Sequence, residues 1–295
     1  MTHTPIPVLQ SVAAAYAFAY SHGRKMLIAA LPYTIASVLM VALPVFGETF
    51  LFLGPLLWLV GTVASLALSA AALRMAVLGD YEGWHGLKLG ADEGRILLVN
   101  LLVPALTLVV GAMVIMSWLV VFSSIAAASL ARAGVDPENF EAELMDVASY
   151  LGTADWVVVV GAGIVAAAIM VWLTARLALS FPATIERKKV QVLSVWGLSK
   201  GNAWRIALAI ILTSTPLILI EAALYEVLAT IFDSRFLYSE FVLGPDGAVS
   251  PVQSRLMETM NWISLMAFVN VPVVSGLYAY IYRRLASEEA QKTAL

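Results

Sequence analysis

Six segments of this chain stay apolar for longer than a water-soluble core requires: about 26–46, 51–78, 96–128, 156–181, 206–230 and 259–282. An α-helix rises 1.5 Å per residue, so about 20 apolar residues cross a hydrocarbon core of roughly 30 Å. No water reaches backbone amides in that core, so each segment has to satisfy its own hydrogen bonds as a helix. Composition agrees. The chain is 61% hydrophobic and 13% charged, against about half and about a quarter in soluble domains, and its mean hydropathy is +0.89. The expected fold is all-α: a polytopic membrane protein with six transmembrane helices in a single integral membrane domain, 1–295. An earlier apolar run, SVAAAYAFAY, precedes Arg24 and Lys25 instead of following a basic segment. That order suits a helix lying in the interface better than a cleaved signal peptide.

Basic residues set the orientation. The N-terminus, the second and fourth connections and the C-terminus hold Arg24, Lys25, Arg74, Lys88, Arg95, Arg176, Arg187, Lys188, Lys189, Lys200, Arg205, Arg283, Arg284 and Lys292. Only Arg132, Arg235 and Arg255 fall on the other side, which places both termini in the cytoplasm by the positive-inside rule. A net charge of −3 supplies no basic field for nucleic acid, and the absence of cysteine removes disulfides, thiolate chemistry and Cys metal sites.

The chain also resembles itself. GWHGLKLGADEGRILL (83–98) and SVWGLSKGNAWRIAL (194–208) both run Trp, Gly-Leu, Lys, Gly, a short polar stretch, then Arg-Ile and a span. AYSHGRKMLIAAL (19–31) is a looser copy. Each following span carries an early proline (Pro32, Pro104, Pro216), and the returning spans end in Arg74-Met75-Ala76, Arg176-Leu177-Ala178 and Arg284-Leu285-Ala286. Periodicity of this kind is a fold signal. It predicts three helix pairs, about 6–80, 81–188 and 189–287, each preceded by a cytoplasmic interfacial elbow helix. In 189–205, Val190, Val192, Leu193, Trp196 and Leu198 alternate with Lys188, Lys189, Gln191, Lys200 and Asn202, as a helix half-sunk in headgroups requires. Gly201 allows the turn from flat to upright. The expected lipid-headgroup positions are Arg24, Lys25, Trp84, Lys88, Arg95, Lys188, Lys189, Trp196, Lys200, Trp204 and Arg205.

The outer loops, about 129–155 and 231–258, differ from each other. Asp136 and Pro137 suit a helix start, and Phe140, Leu144, Val147 and Leu151 share a face opposite acidic Glu138, Glu141, Glu143 and Asp146. Gly-Pro-Asp-Gly within 237–252 predicts a small hairpin. Small residues recur on one face of the second span (Gly61, Ser65, Ser69) and of the fourth (Gly163, Ala167), as close helix packing requires.

The stretch Ser194, Trp196, Leu198, Ser199, Lys200, Gly201, Asn202, Trp204, Arg205 and Ile206 resembles the signature S-x-W-x-L-[ST]-K-G-N-x-W-R-I of a family of six-span bacterial membrane proteins. These are similar to the membrane domain fused to some glycerophosphodiester phosphodiesterases. The motif covers about a dozen residues, and the layout of elbows and span pairs carries the likeness over most of the chain. The phosphodiesterase domain has no counterpart here. The resemblance therefore implies a fold and a place in the bacterial cytoplasmic (inner) membrane, not that activity. The first elbow departs most, lacking Trp and the Leu-Ser-Lys-Gly core.

No sequence pattern marks a reaction. His3, His22 and His85 are the only histidines, and no two sit at metal-ligand spacing. Gly197-Leu198-Ser199-Lys200-Gly201 has the bare Gly-x-Ser-x-Gly spacing. A nucleophile elbow, however, stands between a strand and a helix, a setting not expected in an all-α chain. No Walker loop is present. Polar residues at membrane depth remain, because they are costly there. Glu221 lies 16 residues beyond Arg205, and Ser214, Glu221 and Tyr225 share a face. Glu221 suits a proton- or substrate-binding carboxylate facing a cavity, or an acid bonded to a neighbour or reaching the outer interface. Asn270 precedes Pro272, which removes a backbone donor, as in the broken helices of transport sites; an interhelical hydrogen bond is the simpler role. The expected function is a non-enzymatic membrane scaffold or accessory subunit. Its partners would be membrane lipids and another membrane protein, with no catalytic residue, metal or cofactor. The alternative is a small transporter or lipid-handling protein with a cavity near Glu221 and Asn270. A lipid-modifying enzyme ranks last.

Overall fold

The computed structural model describes residues 5–43, 48–81, 83–135, 148–231 and 263–293. These are helical almost throughout, with no β-strand among them. Seven α-helices follow in order: α1 (Val8–Ala42), α2 (Gly54–Leu78), α3 (Ala91–Arg132), α4 (Thr153–Leu177), α5 (Ser180–Arg187), α6 (Ala203–Ile231) and α7 (Val271–Thr293). Short 3₁₀ segments cover Glu48–Leu53 and Leu193–Trp196, and a π-helix covers Ile263–Asn270. Four stretches are long and apolar enough to cross a membrane: Gly54–Leu78, Ala91–Arg132, Thr153–Arg187 and Ala203–Leu224. Of the other two expected spans, residues 44–46 of the first and 259–262 of the last lie outside the described residues. The same holds for Asp136–Val147 of the expected outer helix, with its acidic face, for the whole hairpin over 237–252, and for the Tyr225 side chain.

Local sequence sets the helix boundaries. Pro55 opens α2, where a missing N–H costs nothing, and Gly79 closes it in the left-handed region (φ 69°) with its N–H on Met75 O. At the start of α3, Glu93 reaches back to accept the Gly90 N–H at 2.8 Å, and Asp155 does the same for Gly152 at 2.9 Å at the start of α4. Both are the carboxylate half of a capping box. Pro32, Pro104 and Pro216 all lie inside helices. A threonine stands within three residues of each and donates its hydroxyl one turn back: Thr34 to Ala30 O, Thr107 to Val103 O and Thr215 to Ile211 O.

The chain divides into two compact units: residues 1–100 with 176–295, and residues 101–175. In the first, α1, α2 and α7 pack closely because the facing residues are small. Ala70, Ala71 and Ala72 of α2 are fully buried. Met26, Ala29 and Ala30 of α1 meet Leu68, Ala72 and Met75 of α2, with Ala267 of the π-helix beside them. At Gly276 of α7 a β-carbon would stand 2.9 Å from Phe18 Cβ, so only glycine lets α7 come this near α1. The second unit is a hairpin of the α3 and α4 segments. Trp118 Nε1 donates to Val159 O at 3.1 Å, and Gly163 leaves room for that indole. The remaining faces carry exposed Leu108, Met113, Val157 and Ile164. A two-helix hairpin with apolar residues all round is stable only in an apolar medium.

Candidate functional site

The two better-formed elbows depart from the expected flat helices. Residues 83–87 form a tight turn in which the Trp84 N–H donates to Leu87 O at 3.1 Å and the Leu87 N–H to Trp84 O at 2.9 Å. His85 (φ 51°) and Gly86 (φ 87°) occupy its centre, the two positive dihedrals of a type I′ turn. Sterics explain the correction. A β-carbon at Gly86 would meet Met75 Cε at 2.0 Å, and one at Gly83 would meet Leu87 O at 2.1 Å, so the backbone is folded where only glycine fits. The elbow at 189–202 is likewise a 3₁₀ turn followed by further turns, with Gly201 at φ 80°. The first expected elbow has no break. Helix α1 runs straight through Gly23, Arg24 and Lys25, because a lone glycine costs a helix about 1 kcal/mol and does not stop it.

Arginines from the returning helices hold these turns. Arg74 of α2 is 2% exposed and gives Nη1 to Glu93 Oε1 at 2.7 Å and Nη2 to Gly86 O at 3.2 Å. Asp92 Oδ2 lies 3.6 Å from the same guanidinium, while Asp92 Oδ1 takes Arg95 Nη1 at 2.5 Å. Arg176 repeats the arrangement: its Nη1 donates to Trp196 O at 2.9 Å, and its guanidinium lies 5.1 Å from the Trp196 ring centre. Within α7 it is Arg283, one residue before the expected Arg284, that binds a main-chain carbonyl, giving Nε to Val77 O at 3.1 Å and Nη2 to the same oxygen. A guanidinium that donates to a main-chain carbonyl fixes the turn geometry, most fully at the buried Arg74.

The SKGNAWR stretch has a second task. Asn202, 2% exposed, accepts the Ile6 N–H on Oδ1 at 3.1 Å, and Arg205 Nη1 donates to Ile6 O at 3.3 Å. Ile6 sits between Pro5 and Pro7, which have no N–H, so its amide is the one donor in that tripeptide. Asn202 and Arg205 thus clamp the start of the chain to the third elbow. Farther along α1, His22 Nε2 and the Tyr81 hydroxyl lie 2.6 Å apart, and Lys25 Nζ sits 3.7 Å above the Tyr81 ring. Sequence reasoning missed both links; the isolated Ile6 amide is the signal that could have found the first.

The remaining elbow side chains point outward. Arg24, Lys25, Trp84, Lys88, Lys188, Lys189, Lys200, Trp204 and Arg205 are exposed, while Arg95 and Trp196 are half-buried. The second and third elbows are thus fixed backbones displaying basic and indole groups.

Of the intramembrane polar candidates, Asn270 lines a crevice of about 240 Å³ with Ser69, Asn100, Ser275 and Tyr278. It ends the π-helix, and two residues on Pro272 has no N–H to return to Phe268 O. Asn270 Oδ1 is buried and accepts no hydrogen bond. Glu221 is half-exposed and is not among the residues lining this crevice; nor is Ser214. Among the described residues no three His, Cys, Asp or Glu side chains gather to hold a metal. No protein-family model, curated protein or solved structure matches the chain.

Proposed function

We propose that this protein is a non-enzymatic scaffold or accessory subunit of a bacterial cytoplasmic membrane, with six spans and both termini in the cytoplasm. Its elbows engage acidic lipid and present a fixed surface to a partner membrane protein. The carrying observation is that exposed Trp84, Lys88 and Lys200 stand on or beside turns whose carbonyls Arg74 and Arg176 hold, with exposed Lys188, Lys189 and Trp204 flanking the second turn. Such turns keep basic groups at one depth without the entropy cost of ordering a loop on contact. The 14-to-3 bias of basic residues supports the orientation, and four span-capable helices support the membrane setting. The signature at 194–206 supports kinship with the six-span family whose membrane domain is fused elsewhere to phosphodiesterases.

The test is stability in nanodiscs against the fraction of acidic lipid. Wild type is expected to gain stability with acidic lipid and to lose the gain in high salt; the Lys188→Gln/Lys189→Gln/Lys200→Gln variant gains little. Purification from native membranes tests the partner, since recovery of the lone chain in every detergent contradicts an accessory role.

A second reading, a small transporter, is favoured by the unsatisfied Asn270 Oδ1 in the crevice beside a π-helix and a proline. It requires solute flux in proteoliposomes that Asn270→Leu abolishes. Wild-type vesicles no leakier than empty ones to a broad solute panel sink it.

A further inference from the structure

A second hollow, of about 460 Å³, opens at the basic end of the first unit. Its floor is Ala14 and Phe18 of α1, Ala76 of α2 and Ala279 of α7. These positions leave space because three of the four side chains are methyls, and Gly276 lets α7 rest against Phe18. Its rim is polar: Tyr280, Arg283, Arg284 and Ser287. Arg283 is anchored on Val77 O through both Nε and Nη2, which fixes its guanidinium at the rim and leaves Nη1 for a ligand. Ser287 Oγ donates to Arg284 O at 2.9 Å and so keeps an acceptor lone pair and its place beside the arginine. Arg284 is exposed and enters no ion pair among the described residues.

Two adjacent guanidinia with a phenol and a hydroxyl suit a phosphate, which takes several charge-assisted bonds at once. An aromatic and methyl floor directly beneath suits the glycerol and upper acyl carbons attached to that phosphate. A free phosphate would use only the rim. We infer that this cleft binds the headgroup of one acidic phospholipid, with its phosphate on Arg283 and Arg284 and its glycerol end over Phe18. The inference rests on the membrane setting proposed above, but on different residues from the elbows. It makes one lipid a stoichiometric component that joins α1, α2 and α7.

The experiment is native mass spectrometry of the delipidated full-length protein. It is titrated with phosphatidylglycerol and with phosphatidylcholine of the same acyl chains, then with glycerol 3-phosphate and inorganic phosphate as competitors. One phosphatidylglycerol is expected to bind at least about tenfold more tightly than phosphatidylcholine, whose quaternary ammonium cancels the charge of the same phosphate and is repelled by the two guanidinia. Arg284→Gln, at an exposed position, removes that preference. Ala14→Leu, which fills the floor, weakens both lipids while the unfolding midpoint barely moves. Lys188→Gln/Lys189→Gln/Lys200→Gln leaves the single tight site intact, so failure at the elbows and failure here are separable. Equal binding of the two lipids overturns the inference, as does an Arg284→Gln variant that binds like wild type. Displacement by inorganic phosphate or glycerol 3-phosphate at lipid-like concentrations also overturns it, by making the site one for a soluble phosphate.

Discussion

Replacing Arg74 by methionine tests whether the second elbow is held from inside. The guanidinium is 2% exposed and Glu93 is 7% exposed, and the substitution removes the hydrogen bonds to Glu93 Oε1 at 2.7 Å and to Gly86 O at 3.2 Å. Methionine fills a similar volume, so the effect is electrostatic. It leaves a buried carboxylate with the Gly90 N–H and no cation, and an orphaned Gly86 carbonyl. Breaking a buried pair on one side costs about 3–5 kcal/mol. Asp92 is more exposed and farther away, so it offsets little. Equilibrium unfolding in mixed dodecyl maltoside and dodecyl sulfate micelles measures the destabilisation. Adding Glu93→Gln, which keeps an acceptor for Gly90 but removes the charge, is expected to recover most of it. A lipid- or water-facing anchor behaves otherwise, with a cost below about 1 kcal/mol that fades as salt rises. That result for Arg74→Met, or no rescue by Glu93→Gln, refutes the buried-clamp account.

Other outcomes follow from the same geometry. Gly86→Ala meets both a positive φ and Met75 Cε, so it is expected to cost more than the about 1–2 kcal/mol of a left-handed alanine; adding Met75→Ala relieves the clash but not the dihedral, and unfolding curves of the pair separate the two. Asn202→Leu orphans the Ile6 N–H, a destabilisation of about 1–3 kcal/mol confined to the first turn of the chain; hydrogen exchange is expected to rise at residues 6–11 and to stay unchanged in α2. Arg205→Gln keeps a donor for Ile6 O and is expected to perturb that exchange less than Asn202→Leu does.

Helices are legible in the sequence because an apolar run of more than 20 residues leaves the backbone no alternative in lipid. The elbows are legible in place but not in conformation. Alternating apolar and basic residues in 189–205 satisfy a half-buried turn as readily as a flat helix, and the closely spaced Gly83, Gly86 and Gly90 are the discriminating signal. The break expected at Gly23 fails for the opposite reason, since helix formers on both sides carry α1 through one glycine. Arg74 and Arg176 read as topology anchors, because nothing local reveals that a chain reversal brings the Gly86 and Trp196 carbonyls to them. The Ile6 clamp closes over 196 residues, a distance that only tertiary structure resolves. Asn270 with Pro272 is legible as a disturbed helix.

The proposed topology sets Lys88 and Lys200 on the cytoplasmic side of the membrane and Arg132 on the other. The chain contains no cysteine, so single replacements report sidedness directly. Lys88→Cys, Lys200→Cys and Arg132→Cys, expressed in bacterial cells, are probed with a membrane-impermeant maleimide. The account predicts that Arg132→Cys labels in intact cells, and that Lys88→Cys and Lys200→Cys label only after the membrane is opened. Labelling of Lys88→Cys or Lys200→Cys from outside, or of all three alike, contradicts it.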